Sequence, residues 1–74
     1  MTYADRIVTD QKIMLGKPVI RGTRITVELI LKKLSEGMSM EELILAYPHL
    51  TREDILAALS YSANVISKEE IIGV

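Results

Sequence analysis

The chain is predicted to be mainly α, a three-helix helix-turn-helix bundle with a short N-terminal β-arm or β-ribbon. Three observations lead there. The first 25 residues alternate apolar pairs with turn formers. From Thr26 onward the apolar residues keep helical spacing. That stretch also carries three separate helix-start signals. The 74 residues form one domain, 1–74, divided into arm 1–25, helical bundle 26–67 and C-terminal tail 68–74.

In the arm, Ile7-Val8 is one candidate strand and Asp10-Gln11-Lys12 a turn. Ile13-Met14-Leu15, Gly16-Lys17-Pro18 and Val19-Ile20 follow, before Arg21-Gly22. Pro18 has no N–H to give a ladder, so a strand here lies at an edge or begins there. So short a ribbon has no stability alone.

The first helix is expected from a Thr26 cap, with Val27, Ile30, Leu31 and Leu34 in one stripe and Gly37 just past its end. The second starts at Ser39, where Glu42 three residues on completes a capping box. Met40, Leu43, Ile44 and Tyr47 form its stripe, and Pro48 ends it. The third starts at Thr51 with acids in its first turn. Its predicted core face is Ile55, Ala58, Leu59, Ser62 and Ile66, its outward face Glu53, Ala57, Ser60, Tyr61 and Asn64, and its end near Ser67.

Composition bounds the function. Hydrophobic residues make up 49% of the chain, with no Phe, Trp or Cys, so the core is aliphatic and unstapled. That much aliphatic surface on so small a domain predicts burial between subunits, in a homodimer or with a protein partner. The net charge of −1 carries no global signature of nucleic-acid binding. Its distribution is uneven. Residues 1–33 hold seven bases and three acids, or +4; residues 34–74 hold two bases and seven acids, or −5. Two surfaces with different partners would show this pattern, and so would a basic arm lying on an acidic body. The longest apolar runs, Leu43–Tyr47 and Ile55–Leu59, are five residues each, so no membrane contact is expected. Absence of cysteine fits a cytoplasmic protein.

Lys17, Arg21 and Arg24 are the leading site candidates. Three cations among two glycines and an X-Pro step suit phosphates or a partner's carboxylates. The structural alternative is that Arg21 and Arg24 pair with acids of the second and third helices. On the third helix Arg52, Ser60, Tyr61 and Asn64 are candidates to face DNA, although Glu53 and Asp54 beside Arg52 repel phosphate. Leu29 and Leu45, off their helices' stripes, are candidate interface residues. His49 is the lone histidine, in a turn where capping or packing is its expected role. A lone histidine with no cysteine predicts no metal site, no cofactor and no catalytic residue. No enzyme activity and no small-molecule substrate are therefore expected.

The run Gly16-Lys17-Pro18-Val19-Ile20-Arg21-Gly22-Thr23-Arg24-Ile25-Thr26-Val27 resembles the signature of the domain of unknown function 433 family. Gly37–Leu43, Tyr47–Thr51 and Asp54–Tyr61 continue it in order, so the resemblance spans roughly residues 7–65. Departures are Leu15, where Gly is common, and Ser62, where Ala is usual. The resemblance implies a homeodomain-like fold, often dimeric. It also implies a VapB-type antitoxin that binds a PIN-like ribonuclease toxin and can bind promoter DNA. On that reading Arg21 or Arg24 enters the toxin's acidic site. A transcriptional regulator of double-stranded DNA and a dimerisation module are the alternatives.

Overall fold

The computed structural model describes residues 5–73, with side chains to Lys68. Its elements run β1 (Ile7–Val8), β2 (Val19–Ile20), α1 (Val27–Ser35), α2 (Met40–Ala46) and α3 (Arg52–Gly73). The fold is the expected one, three helices behind a two-stranded antiparallel ribbon. Ile7 pairs with Ile20 and Val8 with Val19.

The ribbon is held at both ends. Val19 also bridges to Thr26, Val27 N–H donates to the Pro18 carbonyl (2.9 Å) and Ile20 N–H to that of Ile25 (2.9 Å). Residues 19–26 thus fold back on themselves around the turn Arg21–Arg24, with Gly22 at φ 80°. The signature run has a structural duty at Val19, Ile20, Thr26 and Val27, all buried. Between the strands, Met14–Gly16 form one tight 3₁₀-like turn rather than extended chain. Met14, Leu15 and Gly16 have φ of 50°, 58° and 84°. A side chain in this left-handed region costs about 1–2 kcal/mol, which explains why glycine suits position 15.

Caps fall where the sequence placed them. Thr26 Oγ1 accepts from Leu29 N–H (3.0 Å), and Gly37, just past α1, adopts φ 98°. Ser39 and Glu42 exchange hydrogen bonds in both directions. At α3, Thr51 Oγ1 accepts from Asp54 N–H (3.1 Å) and Asp54 Oδ2 accepts from Thr51 N–H (3.0 Å), a second reciprocal box.

Ile7, Ile20, Val27, Ile30, Leu43, Leu50, Ile55, Ala57 and Ala58 form the core. Fully burying each of the larger side chains is worth about 1.5–3 kcal/mol. Among the described residues, no buried side-chain nitrogen or oxygen lacks a partner.

Two expectations for α3 are corrected. Its inward face is Asp54, Ile55, Ala57 and Ala58, with Tyr61 packed alongside, whereas Leu59 and Ile66 are exposed. The alanines explain the rotation: lacking bulk, Ala57 and Ala58 let α3 approach its neighbours closely on that side. The helix also does not stop near Ser67. It continues to Gly73, so residues 68–73 are helix rather than tail, and Val74 lies outside the described residues. Ser67 is followed by Lys, Glu and Glu, all good helix formers, and no Gly or Pro intervenes before Gly73. Among the described residues, no helix is long and apolar enough to cross a membrane.

Candidate functional site

The turn after β2 and the loop between α2 and α3 face each other across an open groove of about 610 Å³. Arg21 and Arg24 line one side, and Tyr47, Pro48 and His49 the other. No Asp or Glu is among its lining residues. Two guanidiniums, an imidazole and a phenol in an acid-free groove make a place for an anion.

The three arm cations separate by environment. Lys17 lies outside this groove, its Nζ 2.9 Å from Glu28 Oε1 on the first turn of α1. That contact holds the Glu28 carboxyl below its ordinary pKa, through the hydrogen bond first and the Lys17 charge second. Exposed on both sides, such a pair contributes little to stability. Arg21 is tethered at its near end, with Nε donating to the Asp5 carbonyl (2.7 Å) and its own N–H donating to the Arg6 carbonyl (2.8 Å). The exposed Arg24 side chain has no hydrogen-bond or ion-pair partner among the described residues. Its backbone is nonetheless fixed, because Thr23 Oγ1 donates to the Ile20 carbonyl and accepts from Ile25 N–H. The result is a guanidinium that no described residue engages, carried on a rigid turn.

Among the described residues, Arg21 and Arg24 do not pair with acids of α2 and α3. That duty falls to Arg6, whose Nη1 lies 3.0 Å from Asp54 Oδ1, with the Asp54 side chain 9% exposed. No local signal marks Arg6, since its partner lies 48 residues away.

The candidate DNA-facing residues do not share a face. Arg52 is exposed and its Nη1 reaches Met40 Sδ at 3.7 Å, tying the start of α3 to α2. Ser60 is exposed, but Tyr61 packs against the core and both Tyr61 and Asn64 are half-buried and engaged in further interactions. Ser62 Oγ donates to the Ala58 carbonyl four residues back (2.8 Å), so its hydroxyl is absorbed within the helix. Leu45 is 80% exposed on α2. Leu29 is half-buried beside Lys17 and Lys32 in a different groove, so these two do not form one patch. His49, assigned by sequence to capping or packing, is instead exposed on the rim of the cationic groove. A histidine beside Pro48 in an interhelical loop was the available signal, but only the fold brings it opposite the arm. Among the described residues, no three His, Asp or Glu side chains stand close enough together to hold a metal ion.

A crystal structure of a DUF433 member protein from Anabaena variabilis superposes with a TM-score of 0.76 at 31% identity, covering 93% of this chain and 69% of that one. An uncharacterised protein of Archaeoglobus fulgidus is 62% identical over 24 residues, 32% of this chain and 67% of its own length. The family model described as "Protein of unknown function (DUF433)" matches residues 7–62, well over half of the chain. The chain therefore belongs to the DUF433 family.

Proposed function

We propose that this protein is a cytoplasmic, non-enzymatic antitoxin that neutralises a PIN-like ribonuclease by seating Arg24, with Arg21 beside it, against the acidic site of the partner. One observation carries the reading: a groove with no acid in its lining, where a guanidinium without a partner among the described residues sits on a turn that folding has already fixed. A guanidinium fork matches carboxylates two at a time, and a charge delivered by a rigid turn loses little entropy on binding. The resemblance to VapB-type antitoxins supports the choice of a nuclease as partner. The acidic residues of such a site attract divalent metal, and a guanidinium lodged among them competes with it.

The test is RNA cleavage by a PIN-like ribonuclease of the same organism, titrated with the purified protein. Cleavage is expected to fall to zero at equimolar protein, and reversal of both charges (Arg21→Glu with Arg24→Glu) to weaken binding by about 2–5 kcal/mol. Full cleavage in the presence of excess protein would overturn the reading. So would unchanged affinity of the double variant. Binding to double-stranded DNA in place of the nuclease, with affinity falling steeply as salt rises, would make the groove a phosphate site and the protein a regulator.

A further inference from the structure

The groove between the Arg21–Arg24 turn and the α2–α3 loop is lined by two unlike kinds of residue. Arg21 and Arg24 supply its charge. Gly22 between them adopts φ 80°, and a Cβ there would meet nothing within 4 Å, so the backbone is open to a ligand. The backbone N–H groups of Gly22 and Arg24 make no hydrogen bond among the described residues. Bare N–H groups beside a left-handed glycine are a recurrent cradle for anions. The rest of the lining is largely apolar, with Ile25 from the turn and Ala46, Tyr47 and Pro48 across from it. Tyr47 packs against the core, which holds its ring in place.

These two parts choose a ligand between them. Two guanidiniums with no acid in the lining are balanced by a dianion. A phosphomonoester carries about −1.5 to −2 at neutral pH and offers three oxygens to the guanidinium forks. The apolar part then selects what the phosphate is attached to. Sugar hydroxyls set against Ile25, Ala46 and Pro48 would lose water without gaining a partner. A nucleobase loses nothing there, since any base offers a flat face to an aromatic ring.

We propose that this groove binds a nucleoside monophosphate, its phosphate on Arg21 and Arg24 and its base against Tyr47 and Pro48. A volume of about 610 Å³ suits such a ligand, as small-molecule sites run from roughly 300 to 1,000 Å³. A single nucleotide fits better than a strand. The loop leads into an α3 whose first turn carries Glu53 and Asp54, and residues 34–74 sum to −5. Phosphates beyond the first would meet that charge and be repelled. The binding rests on the groove and not on the nuclease reading. One consequence joins the two: the arginines that take the phosphate are those offered to the acidic partner, so nucleotide and partner exclude each other.

The experiment is calorimetric titration of the full chain, with no nuclease present. The probes are adenosine monophosphate, adenosine, inorganic phosphate and an oligonucleotide with one terminal phosphate. The monophosphate is expected to bind about tenfold or more tightly than adenosine or phosphate, because each of these lacks half of the contacts. Arg24→Ala, at an exposed position, is expected to keep the helical circular dichroism. It should weaken binding about tenfold or more through loss of a charge-assisted hydrogen bond. Lys12→Ala, on the arm and outside the groove, is expected to bind like wild type. Absence of monophosphate binding, equal binding of adenosine or phosphate, or unchanged affinity of Arg24→Ala would each overturn the proposal. An equal loss in Lys12→Ala would do the same, since charge at large would then be the cause. Tighter binding of the oligonucleotide than of the monophosphate would overturn the choice of a single nucleotide. None of these outcomes touches the RNA-cleavage test, so the two readings fail separately.

Discussion

The N-termini of α2 and α3 carry the same local device and bear very different loads. At α2, Ser39 and Glu42 exchange hydrogen bonds in solvent and touch nothing distant. At α3, Thr51 and Asp54 exchange the same bonds, but Asp54 is buried and its second oxygen holds Arg6 of the arm. One box stabilises a helix end; the other also ties the arm to the start of α3. A capping motif thus announces a helix start, while burial decides whether it also supports the fold.

Substitutions should separate the two. Asp54→Ala removes the cap and leaves Arg6 without its acceptor, and is expected to destabilise the protein by about 2–4 kcal/mol in urea unfolding. Asp54→Asn, which retains the acceptor for Thr51, should recover part of that loss. Arg6→Ala is expected to cost about 1–2 kcal/mol, because a hydrogen bond to a mostly buried carboxylate is lost while the cap survives. Ser39→Ala at the exposed box should cost about 1 kcal/mol or less. If Ser39→Ala proves as damaging as Asp54→Ala, burial is not what distinguishes the two boxes.

The smallest effect is a pH dependence. The Ser39 backbone N–H, and then its hydroxyl, hold the Glu42 carboxyl below its ordinary value. A depressed folded pKa means that the stabilisation is complete above the unfolded value, about 4.3, and is lost as pH falls through the folded one. Thermal unfolding of wild type and Glu42→Gln should therefore differ most near neutral pH and converge in acid as the pH falls through the folded value. A constant difference across that range would remove Glu42 from the account.

What could be read from the sequence was what depends on neighbours in the chain. Thr26, Ser39 and Thr51 mark helix starts because a cap and its target lie three residues apart, and Gly37 marks an end for the same reason. The Arg21–Arg24 turn was legible as a cationic site, though not the groove it forms with His49. Other features escaped as well. Arg6 has no local partner. The phase of α3 was misjudged because Ala57 and Ala58 give no amphipathic signal, while Leu59 and Ile66 look like core and lie outside it. The left-handed turn at Met14–Gly16 was hidden because Leu15 is not a residue that announces it, although it is 83% exposed and free of packing demands.

The contact between Arg6 and Asp54 also bears on the order of folding. Helices α1 and α2 close through contacts only a few residues apart, whereas the arm gains its anchor only after the start of α3 exists, 48 residues downstream. Contacts of such long sequence separation form late, because the intervening loop must first be closed. During synthesis the arm therefore emerges first and docks last. Late contacts leave the folding rate nearly untouched and govern unfolding. The clasp at Asp54 is thus expected to slow the arm's release, while the cationic turn keeps its shape through the local bonds of Thr23.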